Sequence, residues 1–190
     1  ETLRHSLSYK HLITSVGLDS SEMGNPPAKF KNVFAASVKE GYIPVAHAGE
    51  EGPTDYIWEA IDVLKVVRID HGNRCLEDEN LVQEIVKGDL ALTVCPLSNL
   101  ELRNTDVMTN HPLKKLLHKG IKATVNSDDP AYFGGYMNAN FSAVQHALDL
   151  SKEDIITLVK NAFTYSFATD EQKKCYLEKV NEVVHQFENS

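Results

Sequence analysis

Short apolar runs that break off abruptly into reactive residues recur along this chain. Ile43-Pro44-Val45-Ala46 leads into His47-Ala48-Gly49-Glu50, and Val66-Val67-Arg68-Ile69 into Asp70-His71-Gly72. Leu90-Ala91-Leu92-Thr93-Val94 ends at Cys95-Pro96-Leu97-Ser98-Asn99, and Ile121-Lys122-Ala123-Thr124-Val125 at Asn126-Ser127-Asp128-Asp129-Pro130. Continuous apolar segments mark parallel strands buried on both faces, and in (β/α) barrels the reacting groups sit at the C-terminal strand ends. The pattern constrains the chain to an α/β architecture and places candidate chemistry at one end of each strand.

A further run, Leu12 to Asp19, reads as a first strand ending at Ser20-Ser21-Glu22. Helical spacing of Phe30, Val33, Phe34 and Val38 predicts a helix over 29–40 with Gly41 as its stop. Thr54 is placed to cap a helix presenting Ile57, Trp58, Ile61 and Leu64, and further helices are expected over 77–87 and 112–119. The stretch after Val94 reads as a polar loop. From Asn140 onward the pattern is helical in three pieces, 140–149, 151–163 and 170–188, with Ser151-Lys152-Glu153-Asp154 as a capping signal and Thr169 or Asp170 as the last start. Strand and helix alternate every ~20–30 residues, which implies parallel pairing through right-handed crossovers. A closed barrel takes eight strands over about 250 residues. Five strands therefore read as the C-terminal part of a (β/α)8 TIM barrel, about five βα units, with extra C-terminal helices. An open doubly wound sheet is the alternative, but no Gly-rich phosphate loop supports it. No low-complexity stretch or linker interrupts residues 1–190, which are expected to form a single domain.

Composition narrows the partners. A formal net charge of −8 argues against nucleic acid and anionic membrane surfaces, and no apolar stretch approaches the roughly 18 residues of a membrane span. A small ligand and a homo-oligomer are compatible with it. Cys75, Cys95 and Cys175 form no CxxC pair, which fits a reducing cytoplasm, and each is expected as a small buried hydrophobe. The N-terminus lacks Met and signal-peptide architecture and begins inside a helical pattern, as a fragment of something longer would.

The strand ends carry the candidate chemistry. His47 and Glu50 share an elbow that Gly49, Gly52 and Pro53 keep from being helical, so a neutral imidazole and a proton-shuttling carboxylate can face one cavity. A hydrogen-bonded core histidine beside a solvated glutamate is the plainer account. The adjacent carboxylates of Asp128 and Asp129 repel each other. Either a metal takes one while the other receives a hydrogen bond, or the segment is an exposed turn. His71 can stabilise charge developing on an attacking oxygen, with Asp70 orienting it or pairing with Arg68 or Arg74. His5, His11, His111, His118 and His146 have no ligand spacing and read as structural or surface residues. Taken jointly, polar ends on successive parallel strands fit a zinc hydrolase site. The H-x-E and P-C-x-x-C signature of cytidine-type deaminases is absent.

As an ordered set, His47-Ala48-Gly49-Glu50, Asp70-His71-Gly72, Val94 to Asn99 and Asn126 to Pro130 resemble the adenosine/adenine deaminase family of metal-dependent hydrolases, from about Gly17 to the end of the chain. HAGEEGP over His47–Pro53, RIDHG over Arg68–Gly72 and DDPAYFGGY over Asp128–Tyr136 resemble its bacterial and fungal adenine deaminase branch. The resemblance implies that His47 and Asp128 are ligands of one Zn2+, Glu50 the proton donor to the purine ring, and His71 the group that positions or activates the attacking oxygen. It implies that Asp129 hydrogen-bonds the purine at N7 and that Ser20 and Ser21 lie near the other edge of the base. Bridging-Lys members of the wider superfamily bind two metals, and Ser15 to Glu22 contains no Lys, which points to a single zinc. The implied activity is hydrolytic deamination of adenine to hypoxanthine and ammonia in purine salvage. Adenosine or an N6-substituted adenine is the alternative substrate, and a non-catalytic assembly module the alternative of another kind.

One departure bears on all of this. The family's remaining two zinc ligands form a His-x-His motif after the first barrel strand, and no His-x-His occurs in this chain. With two ligands present, the 190 residues are expected to hold zinc weakly, to expose sheet edges, and to be inactive without a complementary segment.

Overall fold

The structure, a computed structural model, describes residues 1–189. Its strands are β1 (Ser15–Leu18), β2 (Ile43–Ala48), β3 (Arg68–His71), β4 (Ala91–Val94) and β5 (Lys122–Val125), ordered β1-β2-β3-β4-β5 in one sheet. The β1/β2 and β2/β3 pairs are parallel, with Leu18 opposite Ala46 and His47 opposite Asp70. All five expected strands are present, each with somewhat different ends. The helices are α1 (Thr2–Ser6), α2 (Lys31–Lys39), α3 (Thr54–Glu59), α4 (Glu79–Lys87), α5 (Pro96–Glu101), α6 (Leu113–His118), α7 (Pro130–Phe133), α8 (Met137–Leu148), α9 (Lys152–Thr164) and α10 (Asp170–Glu188). Strand followed by helix is the rule, so the α/β expectation holds.

Three local readings are corrected. Thr54 does not cap α3; Pro53, held extended at φ −69° and ψ 169°, takes the cap position and Thr54 becomes the first helical residue. The helix expected to continue to Leu64 widens into a π-helix over Ala60–Leu64 and stops at Lys65, which is left-handed at φ 59°. The segment after β4 is not a loop but α5, opened by Pro96 at its first turn with Ser98 and Asn99 buried inside it. Proline at a helix start costs no hydrogen bond, since that N–H has no intrahelical partner. The C-terminal caps follow the sequence: Ser151 with Asp154, and Thr169 with Gln172, form reciprocal capping boxes on α9 and α10.

The chain divides into two compact units, Glu1–Leu92 and Thr93–Ser190. In the first, α2 and α3 pack against β2, and Ala46, Ala48, Ile57, Ile69, Leu81 and Ile85 are fully buried. Cys75 is buried here too, and desolvation pushes its thiol up to about 12, which makes it an inert core group. In the second, Leu113, Leu116, Ala123, Val144 and Leu158 form the core, and Asn161 of α9 donates to the Ala123 carbonyl of β5 at 2.9 Å. Cys95 is buried as expected, whereas Cys175 lies exposed on α10. Among the described residues, no helix is long and apolar enough to cross a membrane.

Candidate active site

The elbow after β2 is set by its glycines. Gly49 sits at φ +75°, and a Cβ there would lie 2.3 Å from Ile57 Cδ1, so only glycine lets the chain turn against α3. The turn brings Glu50 back toward the end of β3, where its Oε1 lies 3.3 Å from His71 Nδ1 with both side chains buried. His47 stands beside them, its ring centroid 4.8 Å from that of His71.

His71 reaches this position by breaking the strand rule. Register pairs His47 with Asp70, so alternation alone would send His71 to the opposite face. His71 instead adopts a left-handed φ of 62°, followed by Gly72 at 69°. Left-handed backbone at a residue with a side chain is uncommon and concentrates at functional sites. Ser20 at φ 78° after β1 and Asp128 at φ 55° after β5 share the feature. Three strand ends singled out in the sequence thus carry strained backbone.

The electrostatics of the first unit centre on His47. Its Nε2 lies 3.5 Å from Asp19 Oδ1 and its Nδ1 3.7 Å from Asp70 Oδ2, while Nδ1 is buried and makes no hydrogen bond. Asp70 therefore neighbours His47, and Arg68 Nε lies 3.3 Å from its Oδ1. Arg74 is engaged elsewhere, with Glu77 at 2.8 Å, which raises the guanidinium above its ordinary range. A cavity of about 250 Å³ opens beside His47, lined by Ser20, Ser21, Glu22 and Tyr56 among others, so the two serines and His47 do share one space.

One residue of this unit carries no signal in the sequence. Glu22, itself buried, accepts hydrogen bonds from the backbone amides of Gly49 at 2.9 Å, Glu50 at 3.1 Å and Gly52 at 2.8 Å. Its partners are backbone groups 27 to 30 residues away, which no side-chain pattern reveals.

In the second unit, Asp128 is half-buried and Asp129 exposed, so the pair separates into two environments and is not a uniformly solvated turn. The Asp129 carbonyl receives the amides of Tyr132 and Phe133 and starts α7. Asn126 anchors the segment: its amide donates to the Val94 carbonyl at 2.8 Å and its side chain to Thr124 Oγ1 at 2.8 Å. Asn140 is fully buried; its Oδ1 accepts from the Leu97 amide at 3.0 Å, and its Nδ2 donates to the carbonyls of Gly135 and Tyr136. His111, read as structural, is buried. Its Nδ1 accepts from the Leu113 amide at 3.2 Å and its Nε2 lies 3.3 Å from Asn99 Oδ1, and burial lowers its pKa to about 4.

Strand ends bearing a His-x-x-Glu elbow, an Asp-His turn and an Asp-Asp-Pro turn place imidazoles and carboxylates, the donor and acid–base groups that metal-assisted hydrolysis uses, after β2, β3 and β5. The family model for adenosine deaminase matches residues 1–183, and the chain belongs to that family. It is 55% identical over 182 residues to an adenine deaminase of Hahella chejuensis, covering 96% of this chain and 54% of the relative. The crystal structure of adenine deaminase from Arthrobacter aurescens matches with a TM-score of 0.94 at 47% identity, covering 97% of this chain and 56% of that one. An amidohydrolase of Burkholderia ambifaria, with bound Zn, shares the fold at a TM-score of 0.81 and 21% identity, covering 92% of this chain and 50% of that one. The chain spans about half the length of the relatives it matches.

Proposed function

We propose that this chain supplies part of the active site of a zinc-dependent deaminase that converts adenine to hypoxanthine and ammonia in cytoplasmic purine salvage, and that residues 1–190 act as one domain of five βα units within a barrel. The observation that carries the reading is the buried pair of Glu50 and His71, 3.3 Å apart beside His47. Adenine is favoured over adenosine by the identity to proteins named adenine deaminase.

The residues present suit zinc. The His47 imidazole has a buried nitrogen without a hydrogen-bond partner, and an imidazole with a carboxylate is a donor set zinc accepts. His47 and Asp128 would hold the ion, which when bound supplies Lewis-acid activation of water. Catalytic zinc takes about three protein ligands, so two leave the set incomplete and the other ligands lie outside these residues. Glu50 carries a proton to the purine ring at N1, which draws electron density from C6 as water attacks there. His71 orients the attacking oxygen and takes its proton. Asp129 hydrogen-bonds the purine at N7, a bond in which N7 accepts and the Asp129 carboxyl carries the proton, and Ser20 and Ser21 border the other edge of the base.

Ammonia release from adenine and from adenosine by the complete protein, with metal analysis of the same preparation, tests the reading. Turnover of adenine that disappears with zinc removal and returns on its addition is expected. Turnover of adenosine alone, or undiminished turnover in metal-stripped protein, overturns it.

A further inference from the structure

We propose that Glu22 is the positioning residue for Glu50, an assignment that rests on the deaminase reading above. The Glu50 elbow is held on two sides. On one, Glu22 takes three amides: Oε2 accepts from Gly49 and Gly52, and Oε1 from Glu50 itself. On the other, the Arg74 amide donates to the Gly49 carbonyl at 3.0 Å and its Nη1 to the Glu51 carbonyl at 3.1 Å. A loop of this kind would ordinarily leave those amides to water, where each could rotate freely. A buried carboxylate instead gathers them with charge-assisted bonds, which are about twice as strong as neutral ones.

Gly52 is part of the same device. A Cβ on Gly52 would lie 2.5 Å from Tyr56 Cδ2 and 2.6 Å from Glu22 Oε2, so the missing side chain leaves room for both the ring and the carboxylate that takes the three amides. Glu22 stands two residues after the left-handed Ser20 and belongs to the wall of the cavity beside His47. Its negative charge is therefore committed to backbone and not offered to a ligand. The consequence is for catalysis: because the Glu50 amide is pinned, the Glu50 carboxylate has one approach to His71, and a displacement near 1 Å costs on the order of 100-fold in rate.

The test is kinetic, in the complete protein. Glu22→Gln keeps size and shape but turns one acceptor oxygen into a donor that faces an N–H. It is expected to lower kcat for adenine by about 10- to 100-fold with KM changed less than about twofold. In a Glu50→Gln background the same change is expected to cost nothing further, since the residue it positions is already disabled. An unchanged kcat, a rise in KM alone, or losses that multiply in the double variant each overturn the proposal. If Glu22→Gln does not fold, Glu22→Asp draws the carboxylate back by one methylene with its charge intact and must give the same loss of kcat; a normal kcat there overturns it. Amide hydrogen exchange keeps this proposal separable from the function. Faster exchange at Gly49, Glu50 and Gly52 in Glu22→Gln upholds the positioning role even if the wild type deaminates nothing, and unchanged exchange rejects it.

Discussion

His71 Nδ1 and Glu50 Oε1 approach to 3.3 Å in a pocket where the histidine side chain is 2% and the glutamate 10% exposed. A carboxyl and an imidazole with this little solvent share protons readily, which is the behaviour expected of an acid–base pair. Replacing either partner removes that exchange. Glu50→Gln and His71→Asn in the complete protein are each expected to lower kcat for adenine by about 10²- to 10⁴-fold. Steady-state ammonia release checks both, and a variant within a factor of about three of wild type contradicts the assigned role.

Metal content should follow the two proposed ligands. His47→Asn and Asp128→Asn are expected to reduce the zinc retained by the complete protein after dialysis against a chelator. Outer-layer residues typically change metal affinity about 10- to 100-fold, and direct ligands change it by more. Full stoichiometry in both variants would remove these residues from the metal site.

Gly49→Ala combines a left-handed φ of +75° with a Cβ placed 2.3 Å from Ile57 Cδ1. Backbone strain and overpacking together are expected to cost about 2–4 kcal/mol. A thermal melt of the variant reads this directly. Because the clash is with one side chain, Ile57→Val is expected to restore part of the loss in the double variant, leaving the backbone component behind.

His111 makes stability depend on pH in a defined window. The folded state keeps its ring neutral, since Nδ1 accepts from Leu113 and burial lowers the pKa from 6.5 to about 4. The contribution is whole above about pH 6.5, where both states are neutral. As pH falls from 6.5 toward 4, the unfolded chain takes up a proton that the folded chain refuses, and stability is lost. The loss is on the order of 3 kcal/mol. Melting temperatures from pH 7.5 to 4.5 should fall more steeply in the wild type than in His111→Asn, whose side-chain oxygen can still accept from Leu113. Parallel curves would show that His111 is not the group responsible.

Asn140 joins three backbone groups with one amide, taking the Leu97 N–H and giving to Gly135 and Tyr136 carbonyls. Asn140→Ala removes all three bonds, leaving the buried Gly135 carbonyl and the part-buried Leu97 amide without that partner, and is expected to cost about 2–3 kcal/mol, visible in a urea melt. Asn140→Asp should cost a comparable amount, because a carboxylate keeps the acceptor but loses both donations.

Much of the fold could be read directly. Parallel strands announce themselves because both faces are buried, so Ile43–Ala48 and Ala91–Val94 stand out as apolar runs between polar segments. The capping signal of α9 was equally plain, because it is local chemistry within four residues, whereas the start of α10 was left between Thr169 and Asp170 until the Thr169–Gln172 box settled it. Helix α5 was hidden because its buried face is polar: Ser98 and Asn99 are both fully buried, Asn99 against His111, and periodicity tests detect only apolar faces. The π-helical end of Ala60–Leu64 was hidden for a related reason, since its spacing differs too little from 3.6 residues to alter a short pattern.

By itself the amino-acid order determined which residue types stand at the strand ends and that strands and helices alternate, because both follow from hydrophobic burial along short stretches of chain. It also placed His47 with Glu50, and His71, at the ends of successive parallel strands. Only the tertiary structure decided that Glu50 pairs with His71, because one left-handed residue overrides the two-residue alternation of a strand, and that Asp70 falls beside His47, because the register of β2 on β3 sets them opposite each other. Glu22 depended on the fold entirely. A carboxylate whose partners are distant backbone amides has no sequence pattern, since every residue but proline offers the same N–H.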